Sequence, residues 1–370
     1  MVVMTKGYRE LITDVIDAGL CTLCGACTAT CPYLVCHKGR IAVLDNCTLS
    51  EGKCYKYCPR THTDMDALSR RIFGTPYGDS EIGTAKDIFM ARTTDKHISK
   101  RSQYGGTVTT LLSLALTEGL VDCVVLSKTS DDRTIHPFLA KTTGEIFQCA
   151  GSNYMACPVL ASYNQVSKHN DTKLAIVGTP CQVLAATKMK LDSPTNRTDA
   201  GNVKLVIGLF CTWALSPNTF HRFLQEKVDL SKVTKFDIPP PPADSFDIYT
   251  TSGKTSISLD EVRKFTMPAC TYCLDMTSEF ADISVGSVEG VQDWNTVIVR
   301  TDVGAELVKL ALNRGGLKTE KLPPANLAHL REAALLKKKQ ALKEIVARSG
   351  DRNDFLYIIL PPELAQKLQD

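Results

Sequence analysis

Cys21-Thr22-Leu23-Cys24-Gly25-Ala26-Cys27-Thr28-Ala29-Thr30-Cys31-Pro32 is the stretch from which the rest of the chain is read. Its spacing, Cys-x2-Cys-x2-Cys-x3-Cys-Pro, lets three neighbouring thiolates wrap one [4Fe-4S] cube while the fourth ligates a second. A tetrahedral zinc site has no use for three cysteines at successive x2 intervals, which makes zinc the weaker reading. Cys54-x3-Cys58-Pro59 repeats the end of the motif, and Cys36 and Cys47 supply the two thiolates still missing. The crossing pattern of two-cluster ferredoxins then puts Cys21, Cys24, Cys27 and Cys58 around one cube and Cys31, Cys36, Cys47 and Cys54 around the other. This second half is irregular, with gaps of 10 and 6 residues where x2 is usual. Gly25 and Ala26 suit a backbone that must approach sulfide closely, an ordinary turn being the plain alternative for Gly25.

Around this stretch the chain is ordinary. It has 370 residues and a formal net charge of +3, enough length for two domains and no basic footprint for nucleic acid. No apolar run approaches the roughly 20 residues of a membrane span. The first residues lack the pattern of a secretory signal, so a cytoplasmic, reducing setting is expected, with attachment to the inner face of a membrane only through a partner. Of fifteen cysteines, eight fall between Cys21 and Cys58. In a reducing compartment such crowding reads as metal binding rather than as the disulfides of a secreted module.

Beyond the turn-rich 74–78, short apolar runs at 87–91, 121–126, 173–177, 203–210 and 296–299 alternate with helical patterns at 107–117, 158–168, 182–188, 217–225 and 303–312. The fold class expected is therefore α+β and α/β: a two-cluster ferredoxin-like domain over 1–75, a larger α/β domain over 82–325, and a helical extension over 326–370. Within that extension the lysines of 337–343 read as a solvated face, and the proline run at 239–242 as a rigid loop.

Ser102-Gln103-Tyr104-Gly105-Gly106-Thr107 opens an apolar helix, where free amides suit a phosphate and a plain tight turn is the alternative. Gly178-Thr179-Pro180-Cys181-Gln182 breaks a buried strand and presents a thiol at the next helix start, where its pKa is lowered. Cys211 ends the next strand, and strand ends of open α/β sheets gather at one ligand-binding edge. With Cys270-x2-Cys273 the count reaches four, the number another cube requires. Cys123, Cys149 and Cys157 read as small buried residues.

Together with Lys100-Arg101, Glu118-Gly119-Leu120-Val121-Asp122, Gly151-Ser152-Asn153-Tyr154, Phe265-Thr266-Met267-Pro268-Ala269-Cys270-Thr271-Tyr272-Cys273-Leu274-Asp275 and Ala281-Asp282-Ile283-Ser284-Val285-Gly286-Ser287, these segments resemble the coenzyme F420 hydrogenase/dehydrogenase beta-subunit family over residues 82–300. The resemblance implies an FAD seated against a third [4Fe-4S] cluster held by Cys181, Cys211, Cys270 and Cys273. It also implies FAD contacts from Ser102, Gln103, Gly105, Gly106, Thr107, Gly151, Ser152, Thr179 and Gln182. Tyr104 and Met267 depart from the residues expected there, a small one and a basic one. A deazaflavin moves electrons as hydride and an iron-sulfur cube moves them singly, so the flavin converts one into the other. Coenzyme F420 carries a phosphate and a glutamate tail, for which Lys100, Arg101, Arg263 and Lys264 are candidate anchors, Lys264 also facing the charge of the reduced flavin. The expected partner is an electron-accepting subunit of a hydrogenase, formate dehydrogenase, heterodisulfide reductase or membrane dehydrogenase. The rivals are the same build with NAD(P)H as donor, and a flavin-free wiring subunit.

Overall fold

Leu174–Gly178 is apolar at every position and buried at every position, the signature of a central strand covered on both faces. A computed structural model describes residues 6–166, 172–192, 202–239 and 243–370, and in it this strand lies near the middle of an eight-stranded mixed sheet. The strands run in the order Leu317–Glu320, Asp87–Thr93, Asn295–Val299, Ile283–Ser287, Val203–Leu209, Leu174–Gly178, Cys123–Thr129, Ile135–Ala140. The four from Ile283–Ser287 to Cys123–Thr129 are mutually parallel and the flanking pairs antiparallel. Helices Thr107–Thr117 and Asp302–Asn313 cover one face through Leu111, Leu112, Leu307 and Val308. Helix Pro180–Leu191 and the carboxy-terminal helix Pro324–Ser349 contribute Val183, Ala186, Leu342 and Ile345 to the other core.

A three-stranded antiparallel sheet, Val233–Asp237, Ser245–Thr250 and Gly253–Ser258, stands beside the main one. Its core is aromatic: Phe220 packs edge-on against Phe246 at 5.4 Å between ring centroids. The amino-terminal segment is built from short pieces, the longest helix there being Met65–Phe73. Ile358 and Ile359 pair with Thr63 and Asp64, so the carboxy-terminal region is joined to the amino-terminal segment.

Three readings need correction or a limit. The 158–168 pattern folds as a 3-10 turn, Val159–Gln165, and its last two residues lie outside the described part. Its N–H groups close the tighter i→i−3 bonds, Ala161 to Pro158 (2.8 Å) and Val166 to Tyr163 (3.0 Å), while the Leu160 N–H, which has no acceptor within the turn, donates to the Cys24 carbonyl (3.1 Å). The lysines of 337–343 are not all solvated: Lys338 is buried on the stripe of Ala334, Ala341 and Ile345 and pairs with buried Glu279. Of the proline run, residues 240–242 lie outside the described part.

Candidate metal and cofactor site

Strands Leu174–Gly178 and Val203–Leu209 are parallel neighbours, so their carboxy ends deliver Cys181 and Cys211 to the same sheet edge. The Cys270–Cys273 turn closes on them through backbone. Cys211 N–H donates to the Met276 carbonyl (2.9 Å), Met267 N–H to the Ala214 carbonyl (2.8 Å), and Ala214 N–H to Cys270 Sγ (3.3 Å). Burial pushes the Cys211 thiol up, and Cys270, Cys181 and Cys273 add to it while the Lys337 ammonium opposes. Burial likewise pushes Cys270 up to about 11, and it raises Cys181 as well, so the lowering expected at the helix start is overridden by burial. Lys337, on the carboxy-terminal helix, donates to the Cys211 and Thr212 carbonyls at 2.8 and 2.7 Å.

The early cysteines gather in the same way. Burial pushes Cys24 well up, with Cys58, Cys181 and Cys21 pushing in the same direction. Cys27 rises for the same reason beside Cys24, Cys58, Cys21 and Cys36. Cys58 is pushed up to about 12 by burial, against the Arg60 N–H that donates to its sulfur at 3.4 Å. Cys21, Cys24, Cys27 and Cys58 thus form one electrostatic neighbourhood, and Cys181 of the later foursome lies within its reach. Cys54, pushed up to about 11 by burial, neighbours Cys31 and Cys47. Cys36 packs against the same core as those three, and it also interacts electrostatically with Cys21, Cys27 and Cys157.

All fifteen cysteines are free. Among the described residues no three His, Cys, Asp or Glu side chains meet as ligands of one ion would. A cube asks for a wider ring, with each thiolate on a different iron. Buried free thiols grouped this way, with backbone N–H donors on Cys58 and Cys270 and cations held on the carbonyls beside them, fit polynuclear clusters. The cations come from sequence positions that carried no signal. Arg60 lies against the Cys270–Cys273 turn, and Lys188 donates to the Cys58 carbonyl at 2.7 Å, its own pKa lowered to about 8 by burial.

The 102–107 turn and the 151–154 segment meet at the end of strand Val233–Asp237. Gln103 Nε2 donates to Asp237 Oδ1 (2.7 Å), the Tyr104 hydroxyl donates to the same oxygen (3.3 Å), and the Tyr154 hydroxyl accepts from the Ile238 N–H (3.2 Å). Burial, then Asp237, pushes Tyr104 up to about 12. Asp237 was not singled out in the sequence; nothing local marks it. Arg101 lies over the Phe147 ring (5.4 Å) and reaches the Gln148 carbonyl (3.5 Å), beside exposed Gly151 and Ser152. Other candidate contacts are turned inward. Thr107 donates its N–H to Asn295 Oδ1 (3.3 Å) and its hydroxyl to the Ala91 carbonyl (3.2 Å). Gly105 answers to the same crowding, since a Cβ there would stand 2.6 Å from that carbonyl oxygen. Ser102 Oγ donates to the Ile98 carbonyl (2.5 Å), and Gly106 takes a left-handed conformation at the helix start. Gln182 closes a capping box on the Thr179 N–H (2.8 Å) and donates to the Cys157 carbonyl (2.7 Å). Lys100 and Lys264 are exposed, and Arg263 pairs with Asp260 at 3.0 Å. A cleft of about 930 Å³ opens where Leu23, Cys31 and Cys36 face Ile135, Met155 and Arg222.

Residues 88–164 match the family model described as coenzyme F420 hydrogenase/dehydrogenase, beta subunit N-term, and residues 171–325 the model of its C terminus. The coenzyme F420 hydrogenase subunit beta of Methanothermobacter thermautotrophicus is 34% identical over 274 residues, 72% of this chain and 96% of that protein. An F(420)H(2) dehydrogenase subunit of Methanosarcina mazei is 28% identical over 79% of this chain and 82% of its own length. Among solved structures, a chain of the F420-reducing [NiFe] hydrogenase complex from Methanosarcina barkeri superposes with a TM-score of 0.68 at 30% identity, covering 74% of this chain and 95% of that one. No helix among the described residues is long and apolar enough to cross a membrane. With both halves of the family model matched in order along one continuous mixed-sheet domain, the chain belongs to the coenzyme F420 hydrogenase/dehydrogenase beta-subunit family.

Proposed function

We propose that the chain is an oxidoreductase subunit that exchanges hydride between coenzyme F420 and a bound FAD and relays electrons singly through three [4Fe-4S] clusters to a partner subunit. The observation that carries this reading is the joining of the two cysteine sets: Arg60 bonds Cys58 Sγ and the Cys270–Cys273 turn, and Cys181 lies within electrostatic reach of Cys21 and Cys24. The flavin supplies, when bound, the conversion between two-electron and one-electron transfer. Cys181, Cys211, Cys270 and Cys273 hold one cluster; Cys21, Cys24, Cys27 and Cys58 hold the next. Cys31, Cys47 and Cys54 hold the outermost, with Cys36 as its fourth ligand.

Asp237 orients Gln103 and Tyr104, and the exposed Gly151 and Ser152 leave room for a planar ligand beside them. The aromatic core of Phe220, Phe246 and Phe265 keeps water from the rear of that region. Lys100 and Arg101 supply charge for a phosphate or carboxylate, and Lys264 for a reduced flavin. Tyr33 and Leu44, joined by a hydrogen bond from Leu44 N–H to the Tyr33 carbonyl (2.8 Å), stand exposed next to half-buried Cys31, which suits an exit toward a partner subunit. Anaerobically purified protein should contain about twelve irons and one flavin. It should also reduce an artificial acceptor with reduced coenzyme F420. About eight irons without flavin, or activity with NADH alone, overturns the proposal.

A further inference from the structure

Arg60 follows Cys58-Pro59 and is 5% exposed. Its Nη1 and Nη2 donate to the carbonyls of Tyr272 (3.0 Å) and Ala269 (2.9 Å), on either side of Cys270 and next to Cys273. The guanidinium lies over the Tyr357 ring at 4.7 Å, and the Tyr357 hydroxyl donates to the same Tyr272 carbonyl at 2.5 Å. Its Nε is buried with no hydrogen-bond partner, and among the described residues no carboxylate pairs with it. A guanidinium taken out of water without a counter-anion is costly, and two carbonyl dipoles do not neutralise it. Its backbone N–H donates to Cys58 Sγ at 3.4 Å while its side chain holds the Cys270–Cys273 turn, so the residue contacts two different cysteine sets.

We propose that Arg60 is a positioning residue whose fixed charge is shared between the cluster held by Cys21, Cys24, Cys27 and Cys58 and the cluster held by Cys181, Cys211, Cys270 and Cys273. A cube with four thiolates is net negative and becomes more so on reduction, so a buried cation beside it favours the reduced form and raises its potential. Lys188 lies against the first set and Lys337 against the late one; Arg60 contacts both. One charge between the two centres raises both potentials together and keeps them matched for transfer in either direction, while its fork holds the two peptide segments in register. A simple clip between segments would need only a neutral donor.

The inference rests on the proposed three-cluster reading and is tested on the complete, cluster-loaded protein by redox titration followed by electron paramagnetic resonance. Iron counting of the unaltered protein tests that reading by itself. In Arg60→Gln, iron stays at about twelve per chain. Two of three midpoint potentials move to more negative values, and the cluster of Cys31, Cys47 and Cys54 stays where it was. Arg60→Lys keeps the charge and restores both potentials. Full iron with unshifted potentials in Arg60→Gln overturns the proposal, as does an equal shift of all three clusters. Should Arg60→Gln fail to retain iron, Arg60→Lys decides: native potentials support the shared charge, and shifted potentials or loss of iron refute it.

Discussion

The amino-terminal segment and the large sheet bury their interiors by different means. In the sheet, Val125, Ile176, Val206 and their neighbours pack on two covered faces, and hydrophobic transfer alone can hold them. In the amino-terminal segment, Cys27, Cys54 and Cys58 sit among Leu11, Val15, Leu20, Leu23 and Leu34, and the elements between them are four- to six-residue pieces. Thiols raised by burial to about 11 and 12 are neutral and make no mutual bond, so as ligands of a cluster they would supply the cross-links that this core otherwise lacks. The sheet is a hydrophobic scaffold that carries thiols at its edge; the segment beside it is organised around them.

Removing iron with a chelator is the strongest way to break that contrast. Amide exchange should show the 6–60 region losing its protection almost completely, while Leu174–Gly178 and Val203–Leu209 keep theirs. Equal loss in both regions would mean that one cooperative core holds the whole chain. Next in size is Cys273→Ser, which removes a ligand from the sheet edge. Iron should fall from about twelve to about eight, flavin should remain, and dye reduction by reduced coenzyme F420 should fall at least about 100-fold. Dye reduction at the native rate would place this cluster off the route.

A third, smaller effect probes the sheet domain where no thiol is involved. Lys338 and Glu279 form a buried pair, with the Tyr77 hydroxyl 3.4 Å from the ammonium. Lys338→Met leaves a buried carboxylate unpaired and should cost about 3–5 kcal/mol in denaturant unfolding. Burial already raises the Glu279 pKa, and losing the lysine raises it further. A carboxyl with a raised folded-state pKa is neutral below its ordinary value, so the deficit should be small there and grow as pH rises through the raised pKa. A deficit that does not change with pH would point to lost packing instead.

Much of the scaffold was legible because its signals are local. Buried runs such as Leu174–Gly178 and helices such as Thr107–Thr117 fall where periodicity put them, and cysteine spacing is itself a short-range pattern. Arg60, Lys188 and Asp237 were not legible, because each acquires its meaning from a partner far along the chain: Tyr272 for Arg60, Cys58 for Lys188, Gln103 for Asp237. The burial of Lys338 does carry a local signal. It falls on the same helical stripe as Ala334, Ala341 and Ile345, a spacing that marks a covered face whatever the residue's charge. The 3-10 form of Val159–Gln165 was hidden because apolar spacing marks a covered face and does not separate i→i−3 from i→i−4 bonding.

Gly25 gives the finest test, because it lies on the boundary between the two regions. The sequence suggests a glycine there for approach to sulfide, but the structure offers a different reason. Its φ is +88°, and a Cβ would stand 2.6 Å from the Pro158 carbonyl oxygen and 2.7 Å from the Ala161 nitrogen. Both are backbone atoms of the 3-10 turn, which cannot move aside without losing the hydrogen bond from Leu160 to Cys24. Gly25→Ala should therefore lift the amino-terminal segment from its seat at a cost of about 1–3 kcal/mol, combining left-handed strain with the clash. Loosening should appear as faster amide exchange at Leu160 and slower electron passage between the Cys181 and Cys24 sets. Unchanged iron content would show that the thiols still find their clusters. If iron at the early cysteines is lost while exchange at Leu160 stays slow, the glycine serves the cluster rather than the seat, and the boundary between the two regions is held by other contacts.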